Sequence, residues 1–529
     1  MRDADVIIIG SGPAGAQAAQ AAAEQGATVI LIDIGRRAPA ILNASPSIGF
    51  DDLRRTREDQ WKLFLGEDVS SIPVEGMQGG LGGGMASGNR SYVTAGSDVL
   101  LPLKVTNAHV LQAVGEGGLG ALWGAASAYM GEAELRAMGL PVAEMERAYD
   151  DVTTHIGVSG PGSRTGIQSP LPPDHHAAAI MERAARKSEA LKAQDIRVTP
   201  PYLAALSRDL GDRHASRGDE MEYYADPGKS VYRPQYTIET LEKLPNVRIM
   251  RDLKVERIQE TADGVDVHCT SLERNAAEVI GAKTVLVAAG AIGTARILLR
   301  SLGLFDIDIP FVSKPHAFSA LLHSTMLGKI GTTKTHALCQ LLLIDEHRTA
   351  EGLCSGVAQL YSYKTLLLFR LLGSLPLPAP QALRVAAALA PALMVADIRF
   401  PGLPGVGRTL RLQRTGETDR LELAMDDSAA EQAAESASHR RLKKAMKTLG
   451  LLPIRNMRLP HASASHHAGT VAVGNTEAPL SCDSSGLVTG LRRTYVADAS
   501  MFRLLPPQPH TLTLMANARR VAGCALEAL

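Results

Sequence analysis

One short pattern constrains this chain more than any other: Gly10-Ser11-Gly12-Pro13-Ala14-Gly15, set between two periodic segments. Ahead of it, residues 5–10 (DVIIIG) predict a short buried strand. Behind it, the alanine-rich residues 13–26 predict a helix closing on Gly26, and residues 28–33 (TVILID) a second buried strand. Strand, glycine turn, helix and strand make the opening unit of a doubly wound sheet. Asp33 ends the second strand, eighteen residues past Gly15, as the dinucleotide fingerprint requires. Gly10 permits the tight turn, Gly12 lets backbone approach a pyrophosphate, and Gly15 lets the helix pack on the strand. Pro13 and Ala14 open the helix, whose N-terminus offers donors and a partial positive charge to phosphates. Asp33 can accept from ribose hydroxyls. The expectation is an α/β fold, Rossmann-like at its start.

Composition narrows the class. The 529 residues allow roughly three or four domains of about 150 residues each. Hydrophobic residues at 45% and charged residues at 21% exclude a wholly disordered chain. Lysine plus arginine and aspartate plus glutamate both number 55, so no global basic excess favours nucleic acid or anionic membrane. Aromatics at 4%, with Trp61 and Trp123 the two tryptophans, make a base-stacking platform a poor fit; no nucleic-acid partner is expected. The cysteines (Cys269, Cys339, Cys354, Cys482, Cys524) are odd in number, widely spaced and without a C-x-x-C pair, which argues against a disulfide framework and a cysteine zinc site. No leader pattern precedes the first strand and no uncharged apolar run is long enough to span a bilayer, so a cytoplasmic protein is expected, with membrane contact left open. The alanine and glycine richness is what a high-GC bacterial genome encodes.

Along the chain, residues 76–90 and 115–127 are glycine-rich and irregular. Residues 157–174, rich in Pro, Gly and Ser, read as a crossing between domains. Residues 246–258 and 265–269 predict two strands; residues 283–290 predict a strand running into a helix at 292–302. Residues 306–425 are less regular and read as a second domain. A charged helix over 427–448, a strand over 494–498 and a long helix from about 511 to the end complete the pattern. Asp174-His175-His176 spells a phosphoesterase tripeptide without that family's other acidic motifs, and is read as chance or a polar loop.

NAD and FAD share the fingerprint. FAD is favoured because the motif opens the chain while the rest of the sheet returns hundreds of residues later. It is favoured also by VLVAAGAIGTARILLRS (285–301), whose turn carries Gly290 and Gly293. The C-terminal segment adds HHAGTVAVG (466–474), GLVTGLRRTYVADASMF (486–502) and PPQPHTLTLMANARRVAG (506–523). With these, the sequence resembles the glucose–methanol–choline (GMC) flavin oxidoreductases, whose tail runs H-x-x-G-T, a glycine-rich turn, Y-V-A-D-A-S and a T-L-T-x-M-A helix. The resemblance brackets the chain from end to end and is vague through residues 160–230 and 305–455. The family's H-x-x-G-T commonly continues x-R-M-G, whereas Val471, Ala472, Val473 and Gly474 follow here. Ala295 and Leu302 also replace the usual residues of the 290–303 turn.

The resemblance implies a Rossmann-like FAD-binding domain in three parts (1–156, 231–305 and 456–529, the last with the catalytic segment). It implies also a substrate-binding domain with an antiparallel sheet (157–230, including a linker, and 306–455). His466 takes the place of the catalytic H-x-x-G-T histidine, which helps take the substrate hydroxyl proton while hydride leaves for flavin N5; imidazole suits that work near neutrality. His467 points the other way on an extended segment. The second polar position, counted back strictly from Thr511, falls on Pro509; His510 reaches it with a one-residue loop adjustment and is preferred. In GEGGLGALW (115–123), Gly118 belongs to the loop over the flavin and Trp123 packs beside the ring or is plain core. Leu122 stands where some relatives carry a histidine bonded to flavin, which implies noncovalent FAD. Val255 matches the position whose backbone meets adenine, Gly290 the turn beside the adenosine half, and Asp498 the residue near the ribityl and pyrophosphate groups. Thr511 and Leu512 start the helix aimed at the flavin pyrimidine, where it would stabilise anionic reduced flavin. No metal is implied; a metal site with His461 lacks further ligands.

The apolar stretch 360–399, broken by Arg370, Arg384 and prolines, is either core of the second domain or an interfacial segment or lid. The lid reading implies a hydrophobic or bulky alcohol. The expected activity is FAD-dependent oxidation of a small-molecule alcohol, with oxygen or another acceptor taking the electrons. A non-redox lyase, a flavin-dependent cyclase and a flavin-binding protein without turnover are the alternatives.

Overall fold

Two sheets position the candidate site in the computed structural model. It describes residues 3–38, 56–60, 62, 88–218, 226–327, 336–362, 376–378, 380–382, 385, 390–416, 418–426, 428–463 and 465–529. The first sheet has seven strands. Its parallel part runs, in spatial order, Thr494–Val496, Ala276–Val287, Ala4–Ile9, Val29–Ile32 and Val247–Met250. The central strands are apolar on both faces because both faces are buried, and helices Pro13–Glu24 and Thr511–Glu527 pack on this sheet. The long strand Ala276–Val287 changes role at Ala282: its first half pairs antiparallel with Gly264–Ser271, which pairs in turn with Leu253–Thr261, and its second half joins the parallel core.

Helix Pro13–Glu24 is built of alanines because it is enclosed. Ala16, Ala18, Ala19 and Ala22 are wholly buried, and the helix packs between Thr511–Glu527 and Pro234–Leu241. Small side chains let those helices approach closely.

The second sheet is six-stranded and antiparallel, in the order Leu451–Arg458, His316–His323, Leu393–Arg399, Cys354–Ser362, Leu341–Arg348 and Ile196–Thr199. Helix Ala429–Thr448 covers one face, packing on Cys354–Ser362, Leu451–Arg458 and Leu341–Arg348, and its Leu442, Ala445 and Met446 share one buried cluster with Met394, Ala396 and Ile398. The period of two then turns Asp397 and Arg399 to the opposite face. The expected mixed fold, a Rossmann-like domain with a second domain carrying an antiparallel sheet, is the observed one.

Some expectations need correction. Residues 246–258 are not one strand: Asp252 sits at φ 56, in the left-handed region, and splits the segment into a parallel edge strand and the first strand of the meander. Residues 157–174 are more than a crossing, since Val158–Ser159 and Ile167–Gln168 pair within a small four-stranded sheet. Asp174 is a helix cap and not loop: its carboxylate accepts from Ala177 N at 2.8 Å and starts helix His175–Arg186. Of the apolar stretch 360–399, residues 363–375, 379, 383–384 and 386–389 lie outside the described residues, as do Trp61 and residues 76–87 of the first glycine-rich segment. The stretch's end, Leu393–Arg399, is an interior strand of the six-stranded sheet, as the core reading has it. Among the described residues no helix is long and apolar enough to cross a membrane.

Candidate active site

The carboxyl ends of the parallel strands meet at one edge, where open α/β sheets bind their ligands. Ile9 leads into the Gly10–Gly15 turn, Ile32 into Asp33, Val287 into Gly290, and Val496 into Asp498. Each glycine of the turn has a separate physical reason. Gly10 holds φ +103 and a Cβ there would lie 2.5 Å from Ala288 O; a Cβ on Gly15 would lie 1.7 Å from Gly10 O. A Cβ on Gly12 would meet nothing within 4 Å. Gly10 and Gly15 are therefore glycine for the protein's own packing, while Gly12 borders open space. Gly118 faces it, a Cβ there lying 3.2 Å from Gly12 Cα, and Gly117 N donates to Ser11 Oγ at 3.0 Å. Helix Pro13–Glu24 has no side-chain cap, so its first N–H groups remain for an anion.

Asp33 closes the turn: its carboxylate accepts from Ser11 N at 2.5 Å and Gly35 N at 2.6 Å. Burial raises its pKa, against those two donors. Leu253 N donates to Asp33 O, which brings Val255, two residues on, beside the same edge. Asp498 ties two strand ends together. Its carboxylate accepts from Gly290 N at 2.8 Å, Thr294 Oγ1 at 2.6 Å and Ser500 N at 2.8 Å. A Cβ on Gly290 would meet nothing within 4 Å, so this turn too borders open space. Trp123 Nε1 donates to Tyr232 O at 2.7 Å and its ring meets Tyr232 edge-on; Leu122 is buried.

The histidines sit on a two-strand ribbon. Val312–Ser313 pairs antiparallel with His467–Ala468, with Ser313 opposite His467. Continuing that register sets Lys314 across from His466. Beyond the ribbon, Thr470 Oγ1 donates to Ala291 O at 2.9 Å and Val471 N to Ser500 O, fixing the segment to both strand-end turns. Ser465, just before His466, holds φ 55. The His466 and His510 rings lie 4.7 Å apart at 84°, edge to face, with His510 at the N-cap of Thr511–Glu527. It is the His510 ring, one residue past the position that strict counting gives, that lies against His466. His467 stacks instead on Phe311, centroids 5.2 Å apart.

Sequence reasoning missed the cations here. Arg399 Nη1 lies 2.6 Å from His466 Nδ1 and 3.3 Å from Nε2. Arg399 Nη2 pairs with Asp397 at 2.8 Å, and His316 Nε2 lies 2.9 Å from the other oxygen of that carboxylate. Lys314, 1% exposed, donates to Gln508 O in the loop before His510. Alternation along ALMVADIRF would place Asp397 and Arg399 on one face, but nothing local says what that face meets.

Burial, then Arg399 and Lys314, hold His466 well below the usual imidazole pKa; burial, then Lys314 and Arg399, do the same to His510. Burial alone takes His467 down to about 4. Lys314 is pushed well below the usual lysine value by burial and by Arg399. Burial opposes ionisation of Asp397, but Arg399 and His316 override it and keep the carboxylate charged.

These residues fit a flavin dinucleotide. Gly12 and Gly290 border open space where a Cβ would sit, and two helix N-termini, at Pro13 and Thr511, carry no side-chain cap. Among the described residues, His510 Nδ1, both His467 ring nitrogens, Ser313 Oγ and Gln508 Oε1 are buried without a hydrogen-bond partner.

The comparisons agree with this layout. GMC oxidoreductase family models match residues 204–307 and 409–518, and a pyridine nucleotide-disulphide oxidoreductase model matches residues 4–59. The fingerprint and Asp33 fall in the last match, Val255 and Gly290 in the first, and Asp498 and the paired histidines in the second. No curated protein matches the sequence. Among solved structures, pyridoxine 4-oxidase from Mesorbium loti has the same fold, with a TM-score of 0.59 and 16% identity, covering 98% of this chain and 99% of its own.

Proposed function

From the premise that the chain belongs to the GMC oxidoreductases and uses FAD, we propose that it oxidises an alcohol to an aldehyde or ketone with His466 as the base. The observation that carries this reading is the pairing of His466 with His510, both held neutral at neutral pH, at the N-terminus of the C-terminal helix. Bound flavin supplies the acceptor for the hydride of the carbinol carbon. His466 takes the hydroxyl proton, and a neutral imidazole is the form able to do so. His510 holds the substrate oxygen from its unpartnered side. The N-terminus of helix Pro13–Glu24 over Gly12 would hold the pyrophosphate, and Asp33, the Val255 backbone and Gly290 would hold the adenosine half. Gly118 would close over the cofactor, with Trp123 fixed by Tyr232 beside that loop. Thr511 and Leu512 would present helix N–H groups to the pyrimidine, favouring negative charge there. Asp498 fixes the turns near the ribityl chain, and Leu122 offers no nucleophile for a covalent bond.

The test is anaerobic. The purified flavoprotein is mixed with sugars, sterols, aryl alcohols and long-chain alcohols while its visible spectrum is followed. One class should bleach the flavin, and His466→Ala should slow that bleaching by about 10²–10⁴-fold while retaining bound FAD. Product formed without net flavin reduction would overturn the oxidation reading in favour of lyase or cyclase chemistry.

A further inference from the structure

The chamber beside His466 gathers more basic side chains than an alcohol oxidation calls for. Lys314 and Arg399 both reach it, with His510 alongside. Among the described residues Asp397 is the one carboxylate that faces them. A buried ammonium is costly unless paired, and among the described residues the hydrogen bond of Lys314 goes to the neutral carbonyl of Gln508, so an arriving anion would favour its charged form. Arg399 comes from the substrate-domain sheet and Lys314 from the ribbon that carries His466, so two elements converge on one spot.

We propose that Lys314 and Arg399 form an anion subsite beside His466, and that the substrate is a hydroxy acid whose carboxylate binds there. The proposal rests on the reading of His466 as base. A guanidinium has donors and no acceptor, so its contact with His466 uses the lone pair of Nδ1 and leaves the proton of the neutral ring on Nε2. While Arg399 stays there, the base has no free lone pair. A carboxylate is the better partner, since charge-assisted hydrogen bonds are roughly twice as strong as neutral ones. Its arrival draws Arg399 from His466 and restores the ring's lone pair to the hydroxyl. Arg399 and His466 lie within hydrogen-bond distance, a separation that a 2-hydroxy acid spans without strain because its hydroxyl and carboxylate sit on neighbouring carbons. The substrate then loses its carbinol hydride to the flavin and its hydroxyl proton to His466, leaving a 2-oxo acid. Dioxygen or another two-electron acceptor reoxidises the flavin. The subsite favours a charged substrate over the hydrophobic one that the lid reading of residues 360–399 implied.

The test uses the FAD-loaded protein and two readouts. Calorimetric titration with acetate and benzoate, against acetamide and benzamide, measures the subsite without turnover. Anaerobic reduction by glycolate and mandelate, against ethanol and 1-phenylethanol, measures its use. The carboxylates should bind at least tenfold more tightly than the amides. Arg399→Gln and Lys314→Met should each remove most of that preference, and Arg399→Lys should restore part of it. Equal binding of acids and amides, or variants that leave the preference unchanged, would overturn the subsite. If neutral alcohols reduce the flavin and the acids neither bind nor react, the subsite falls and alcohol oxidation stands. If the acids bind through Arg399 and nothing reduces the flavin, the subsite stands and the oxidation reading falls.

Discussion

Imidazole can take a proton only in its neutral form, and in the proposed reaction the neighbours of His466 set how far into acid that form persists. Burial, Arg399, Lys314, His510 and His467 all push His466 toward its neutral form. An ordinary histidine loses activity as base near pH 6.5, at about its unperturbed pKa. A lowered value keeps the base form below that, so kcat/KM should stay level down through about pH 6.5 and fall only in more acid solution. Arg399→Gln removes a cation, raises the His466 pKa and should move the acid limb to higher pH. A pH profile of kcat/KM for both proteins checks this; a limb that moves to lower pH in the variant would contradict it. His466 and His510 were legible from the tail motifs. Arg399 and Lys314 were not, because they lie 67 and 152 positions before His466 in a stretch with no motif.

At the scale of an element, the glycine turn separates packing from binding. Gly15→Ala would place a methyl against Gly10 O and should prevent the first helix from seating, leaving little soluble protein. Gly12→Ala meets no protein atom, so the chain should fold, with unchanged circular dichroism, yet bind FAD at least tenfold more weakly because the methyl occupies the pyrophosphate's approach. Equal FAD affinity in Gly12→Ala and the parent would remove the turn from the cofactor site. The strand–turn–helix was plain in the sequence because period and turn chemistry are local. The break at Asp252 was not: a left-handed residue other than glycine carries no strong local signature, and the parallel partner of Val247–Met250 lies more than two hundred residues earlier.

For the whole molecule, the proposed cofactor site draws on strand ends at residues 9, 32, 287 and 496. A ligand bound across them stabilises only the assembled state. FAD at a hundred times its Kd should add about 2.7 kcal/mol, and the thermal midpoint of the apoprotein should climb as FAD is added. With noncovalent attachment, as Leu122 in place of a histidine implies, the flavin should also leave the protein on acid denaturation. Flavin that stays with the precipitated chain would contradict that.

The local pieces were all readable along the chain: the Gly10–Gly15 turn between strand and helix, the covering of the sheet by an alanine-rich helix, and the order of the tail motifs that names the cofactor. These are read by period, turn chemistry and spacing, which act within a few residues. Tertiary structure alone decided which charges surround His466. A ribbon register sets Lys314 beside it, a sheet face delivers Arg399 and Asp397, and a helix N-cap brings His510. Those contacts join residues far apart in the chain, and their energies depend on burial that no local pattern encodes.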